Sequence, residues 1–213
     1  MKDSSSSRRT GRAFLAAAAF WALGSSAYAG PPITCGGVWA PGASEETLQR
    51  AFGAEQVRRG MIDVGEGHEE DGSIVYPSTP ESTVLVLWKD PVGRRNPSSV
   101  RLRERTRQAT FENIGIGTTL KTLERLNGRP FELAGFDFDY SGTVLSWLGG
   151  RLESIGDPAC DIKVRLSPRM PKSPSGAQLA AREATVGERA FQSSDAKMQL
   201  LNPAVYEVLL NYR

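Results

Sequence analysis

The sequence predicts an α+β fold of two tandem units, each a helix packed on a small antiparallel sheet, with a C-terminal helix-strand appendage. Two observations carry this prediction. Residues 114–153 combine one capped amphipathic helix with alternating apolar residues and two Gly-containing turns, and residues 44–105 repeat the order of helix, glycine and Trp-ended strand. The predicted organisation is a signal peptide (1–29), a first unit (30–110), a second unit (111–166), and a linker, short helix and strand (167–213).

The N-terminal segment predicts a signal peptide. Lys2, Arg8, Arg9 and Arg12 form a basic region, residues 13–23 are apolar but too short to span a bilayer, and Ala27-Tyr28-Ala29 suits a cleavage site. Arg8-Arg9 leaves general and twin-arginine export both open. Residues 1–29 hold four of the 26 basic and one of the 24 acidic residues, so the remainder has a formal charge of −1. This charge gives no indication of nucleic-acid binding, and no later stretch predicts a transmembrane segment.

The two cysteines, Cys35 and Cys160, predict a disulfide, because a pair in an oxidising compartment is usually bonded. The alternative is two buried free thiols. A bridge closing so long a loop would contribute roughly 4–5 kcal/mol in the chain-entropy model. Signal peptide and disulfide together predict a periplasmic or secreted protein.

The first unit begins with a predicted helix after Ser44, a capping residue, and Gly53 ends it. Aligning Gly53 with the glycine that ends the second unit's helix places Leu48 on Leu123. Downstream, residues 83–88 parallel residues 142–147, so that two tryptophans hold equivalent places. A tandem repeat is therefore predicted.

The helix of the second unit has a capping residue at Thr118 or Thr119 and an apolar stripe at helical spacing. Gly128 takes the left-handed position that ends it, and Pro130 forbids continuation. The stripe consists of Leu120, Leu123 and Leu126.

The strands of the second unit are predicted from a period of two, with Ser141-Gly142 and Gly149-Gly150 as hairpin loops. The resulting registers sort the side chains into two sets. One set faces the helix: Phe136, Phe138, Leu145, Trp147 and Leu152. The other faces outward: Asp137, Asp139, Ser146, Arg151 and Glu153.

Residues 117–130 read Gly-x-Thr-x-x-x-Leu-x-x-Leu-x-Gly-x-Pro, from Gly117 to Pro130. This pattern resembles the Gly-Met-Thr-x-x-x-Val-x-x-Leu-Leu-Gly-x-Pro signature of the small outer-membrane lipoprotein A family (SmpA/OmlA-like), within the β-lactamase-inhibitor-like superfamily. The resemblance implies a helix on a small antiparallel sheet, tandem units and the binding of proteins. The lipid-attachment cysteine of the lipoproteins is missing here.

Beyond the second unit, residues 161–166 alternate as a strand and residues 167–176 form a Pro- and Ser-rich linker. A short helix over 177–186 and a strand over 205–212 follow. We interpret them as an appendage added to the second sheet.

Two sets of side chains could serve a hydrolase, the alternative function. The acidic loop around His68 is a candidate metal loop with Glu69 and Asp71, but it lacks the ligand spacing of a calcium loop and a second His or Cys, which favours a solvated acidic loop. Asp137 and Asp139 could act as paired carboxylates if they share a strand face, or could simply be solvated. Neither set includes a catalytic motif.

A row of arginines provides the candidate binding site. Alternate residues of one predicted strand share a face. Such a row suits an anionic partner, or else protects an edge strand against aggregation. The row consists of Arg101, Arg103 and Arg105, and Arg94 and Arg95, which flank it, are further candidates.

The sequence thus predicts an exported, non-enzymatic binding protein without a cofactor. Its expected partner is an envelope or extracellular protein, or an anionic envelope surface.

Overall fold

The computed structural model describes residues 33–103, 105–107, 110 and 113–213, so the predicted signal peptide lies outside the described residues. Within these residues, no helix has the length and apolar character needed to cross a bilayer. The helices are α1 (Glu45–Phe52), α2 (Leu120–Asn127), α3 (Gly176–Glu183) and α4 (Ala196–Leu201). The strands are β1 (Val57–Gly65), β2 (His68–Val75), β3 (Val84–Asp90), β4 (Arg95–Arg103), β5 (Glu132–Ala134), β6 (Val144–Ser146), β7 (Gly156–Asp157), β8 (Cys160–Ser167), β9 (Ala190–Gln192) and β10 (Ala204–Tyr212).

The strands form a seven-stranded sheet in the order β1-β2-β3-β4-β10-β8-β7 and a three-stranded sheet in the order β6-β5-β9. All paired strands are antiparallel, which confirms the predicted α+β class. The prediction that the last strand is an appendage is wrong, because β10 lies between β4 and β8. A single sheet runs through both predicted units, and the repeat relating them stays a prediction.

The helix ends are set by the predicted residues. The Ser44 side chain accepts a hydrogen bond from the Thr47 amide at the start of α1. Thr119 does the same for the Thr122 amide at the start of α2, over 3.3 Å. Gly128 follows α2 in the left-handed conformation. These bonds satisfy amide groups that would otherwise lack a partner at the beginning of each helix.

The helices cover one side of the seven-stranded sheet, which we call the first face. Leu48 of α1 and Leu120 and Leu123 of α2 are buried in one cluster with the alternate residues of the central strands. The strand residues of this cluster include Val84, Val86, Val100, Leu102, Val164, Val208 and Leu210. Their register places them on the same side of the sheet. The first face is thus the apolar core.

The period of two over residues 136–140 predicted a strand before the first hairpin loop, and this prediction is wrong. Residues 137–142 form turns, and β5, immediately upstream, pairs with β6 instead. The loop is docked on β8, where the Leu166 amide donates to the Gly142 carbonyl over 2.9 Å. An added Cβ at Gly142 would clash with the Leu166 carbonyl, so this close approach requires glycine. The loop therefore leaves Phe138 exposed instead of facing the helix.

The second predicted hairpin is also wrong, because Gly149-Gly150 leads into a 3₁₀ turn at Arg151–Ser154. Trp147 is nevertheless buried as predicted, 5.0 Å from the Phe131 ring between centroids. Leu152 is fully buried as well. The apolar residues around the turn thus reach the core without the predicted strand pairing.

The predicted disulfide between Cys35 and Cys160 is confirmed. It ties the N-terminal arm, residues 33–39, to Cys160, the first residue of β8. Nearby, the Tyr212 hydroxyl donates a hydrogen bond to the Trp39 carbonyl. The arm is thereby attached to both β8 and β10.

Candidate binding face

The opposite side of the seven-stranded sheet, the second face, lies under the β1–β2 hairpin. The Asp63 carbonyl of β1 accepts hydrogen bonds from Arg101 Nη1 (3.1 Å) and Arg103 Nη1 (2.9 Å) of β4. In the sheet, β2 and β3 lie between β1 and β4. A flat sheet would therefore place the backbones of β1 and β4 about 14 Å apart. The sheet is therefore strongly curled.

The curl depends on a tight packing of β1 against β2 and β3. Gly72 of β2 pairs with Gly60 of β1. A Cβ at Gly72 would clash with the Ile62 side chain and the Val86 carbonyl. Glycine at this position lets Ile62 lie over the second face, where it is almost fully buried.

A buried carboxylate organises the arginines of the second face. Glu207 of β10 is fully buried and accepts hydrogen bonds from Arg103 Nε and, over 3.3 Å, from Arg165 Nη1. Arg101 lies beside them, and its Nε is buried without a hydrogen-bond partner among the described residues. Burial lowers the pKa of Arg101, while the nearby Glu207 carboxylate opposes this shift.

The other predicted arginines have separate roles. Arg94 is buried, donates to the Gly72 carbonyl over 2.8 Å, and forms an ion pair with Asp71. Arg95 pairs with Asp90 over 3.0 Å. Both guanidinium groups are thus bonded within the protein. The alternative of edge protection is wrong, because β4 lies between β3 and β10.

The first of two clefts, which we call the arginine cleft, has a volume of about 420 Å³. Met61, Ile62 and Leu85 supply apolar surface, and Arg103 and Arg105 supply positive charge. The arginine cleft lies at the end of β4, next to the Asp63 carbonyl of β1 that accepts hydrogen bonds from Arg101 and Arg103.

The second cleft, the loop cleft, lies between the turn of the β1–β2 hairpin and the loop over 137–140, with a volume of about 640 Å³. It brings together His68, Asp137 and Asp139, which the sequence suggested as separate catalytic candidates. Asp137 forms an ion pair with Arg182. The fold thus joins two candidates that lie about 70 residues apart in the sequence.

The predicted metal loop is not assembled in the structure. Within the described ranges, no three His, Cys, Asp or Glu side chains are placed to hold a metal ion. Asp71 instead accepts a hydrogen bond from Arg94, which lowers the pKa of Asp71. Glu69 is exposed on β2, and His68 faces the loop cleft.

Three large apolar side chains between residues 138 and 145 are exposed, and we call them the apolar rim. Phe138 is 51%, Tyr140 63% and Leu145 49% exposed. Phe138 and Tyr140 line the loop cleft together with Arg165. Sequence reasoning missed the rim because alternation of Phe and Tyr with Asp also suits a half-buried strand. The available signal was the run of turn-forming residues from Asp139 to Gly142.

Comparison with known proteins finds no matching family model, no similar curated protein and no similar solved structure. The resemblance to the small outer-membrane lipoprotein A family therefore stays a prediction. The candidate face consists of a curled sheet with a buried ion network, two clefts and an apolar rim.

Proposed function

We propose that this chain is an exported, non-enzymatic binding protein whose protein partner docks on the apolar rim. The observation that carries the proposal is the exposure of Phe138, Tyr140 and Leu145 within one short segment. Aromatic residues and arginine are enriched at the energetically dominant positions of protein interfaces. Arg165 beside the two aromatic residues completes that combination.

Two further observations support the cellular setting of the proposal. The Cys35–Cys160 disulfide is compatible with an oxidising, extracytoplasmic location. The predicted signal peptide and the resemblance to a family of envelope proteins agree with this location. The proposed site of action is therefore the periplasm or the extracellular space.

Site-specific photo-cross-linking tests the proposed interface. A benzophenone amino acid replaces Phe138 in one variant and Leu179 of α3 in a matched control, since these residues are 51% and 53% exposed. In cells of the native host we expect a discrete adduct from position 138 that Tyr140→Ala reduces, and none from position 179. Equal adducts from both positions, or none from position 138, would contradict the proposal.

A hydrolase is the second candidate, and the loop cleft is the observation that favours it. His68, Asp137 and Asp139 line one cavity large enough for a small substrate. Metal analysis of gently purified protein separates the two functions. Stoichiometric metal in the wild type that is lost in His68→Ala would favour the hydrolase.

A further inference from the structure

We propose that the arginine cleft binds an amphipathic anion, namely an alkyl or acyl chain that carries a carboxylate or phosphate group. This inference concerns the end of β4 and does not depend on the protein partner proposed for the apolar rim. Two features of the cleft support this inference: its walls are largely apolar, and the guanidinium group of Arg105 is exposed.

The cleft has the size and lining of a small-molecule site. Its volume of about 420 Å³ lies in the range of ligand pockets, which are mostly apolar with a few placed polar groups. Met61, Ile62, Leu85 and Pro80 provide the apolar part. Met61 is 56% exposed and leaves a surface that an alkyl chain can cover.

Arg105 is the charged group available to a ligand. It is exposed and makes no hydrogen bond or ion pair with any other described residue. Its backbone position is nevertheless fixed, because the Thr106 amide donates to the Arg103 carbonyl over 3.1 Å and the Thr106 hydroxyl to the Thr83 carbonyl over 2.8 Å. A guanidinium on such a turn is held at the cleft without being neutralised there.

The charges of the lining favour an anion over a cation. Two guanidinium groups, those of Arg103 and Arg105, line the cleft with one carboxylate, that of Asp63. Arg103 is already bonded to Glu207 and to the Asp63 carbonyl, so Arg105 is the primary donor. A guanidinium can bind a carboxylate or a phosphate with two parallel hydrogen bonds.

Calorimetric titration with four probes of equal chain length tests the proposal: decanoate, decyl phosphate and decyltrimethylammonium, each below its micelle concentration, and 1-decanol below its solubility. We expect the two anions to bind at least tenfold more tightly than the cation and the alcohol. Preference between the two anions identifies the head group. Shortening the anion should weaken binding about fourfold per methylene removed, if the chain enters the apolar part.

Matched arginine variants assign the binding to the cleft. Arg105→Gln should weaken binding of the anions at least tenfold at an unchanged melting temperature. Arg169→Gln, which alters an exposed arginine outside the cleft, should leave the affinity for the anions unchanged. The proposal would be overturned if the cation bound as tightly as the anions. It would also be overturned if the Arg105→Gln variant bound the anions as tightly as the wild type. Neither outcome affects the cross-link at position 138. The ligand site and the protein interface are therefore tested independently.

Discussion

The two faces of the seven-stranded sheet are built by different interactions, although the same strands form both. Along β4, Val100 and Leu102 point into the helix-covered core, while Arg101 and Arg103 point to the second face. Apolar burial stabilises the first face without requiring particular partners. The second face buries the carboxylate of Glu207, which costs free energy unless it is paired. One strand thus contributes both to the apolar core and to a face whose charged side chains need particular partners.

The largest effect is expected from removing the disulfide, which anchors the arm to the first face at β8. Cys35→Ser with Cys160→Ser should lower the free energy of unfolding by about 4–5 kcal/mol, since the bridge spans a sequence separation of 125 residues. Denaturant unfolding measures the loss. Reductant should destabilise the wild type by a similar amount and leave the double variant unchanged. A loss below about 1 kcal/mol would mean that the arm contributes little to the first face.

Truncating the buried tryptophan near α2 tests the apolar nature of the first face. Trp147→Ala should cost about 3–5 kcal/mol, because the cavity left beside Phe131 cannot close fully. The loss should be insensitive to salt, and denaturant unfolding at two ionic strengths provides the measurement. A marked dependence on salt would show that charges contribute to this face as well.

Neutralising the central carboxylate tests the second face. Glu207→Gln should cost about 2–3 kcal/mol, because the charge-assisted bonds to Arg103 and Arg165 are lost while the shape is kept. Glu188→Gln is the matched control on an exposed residue and should change stability by less than about 0.5 kcal/mol. Equal stability of the two variants would argue against a buried ion network.

The smallest effect is expected at the margin of the second face. Asp137 pairs with Arg182 across the loop, and the Asp137 side chain is 54% exposed. Asp137→Asn, which removes the charge and tolerates the positive φ of this residue, should therefore cost less than about 1 kcal/mol, and high salt should reduce the difference. A thermal melt at low and high salt gives both values. A cost above about 2 kcal/mol would mean that this loop supports the sheet rather than lying upon it.

Local features could be predicted from the sequence, and long-range partners could not. Thr119 and Gly128 bound α2 because capping depends on residues within one turn. The position of β10 was missed because alternation predicts the face of a strand but not its neighbours. The loop over 137–142 was missed for a related reason, since its docking requires Gly142 to meet Leu166, 24 positions later.

The arginine site was predicted in part. Arg101 and Arg103 share one face of a strand, as the spacing indicated. Which arginines remain available depends on acids from distant parts of the chain, because Asp71 pairs with Arg94 and Glu207 pairs with Arg103. Pairing of this kind is set by the fold, and no local pattern contains it.

The central position of β10 has a consequence for the order in which the protein can fold. This strand follows every other described strand in the chain, yet it alone joins β4 to β8. Until residues 204–212 have been synthesised, β4 and β8 each have an unpaired edge and Glu207 is missing between its arginines. The complete sheet can therefore form only after β10 has been synthesised. Because the chain emerges from its N-terminus, the seven-stranded sheet stays divided until β10, which follows the other described strands, is inserted between β4 and β8.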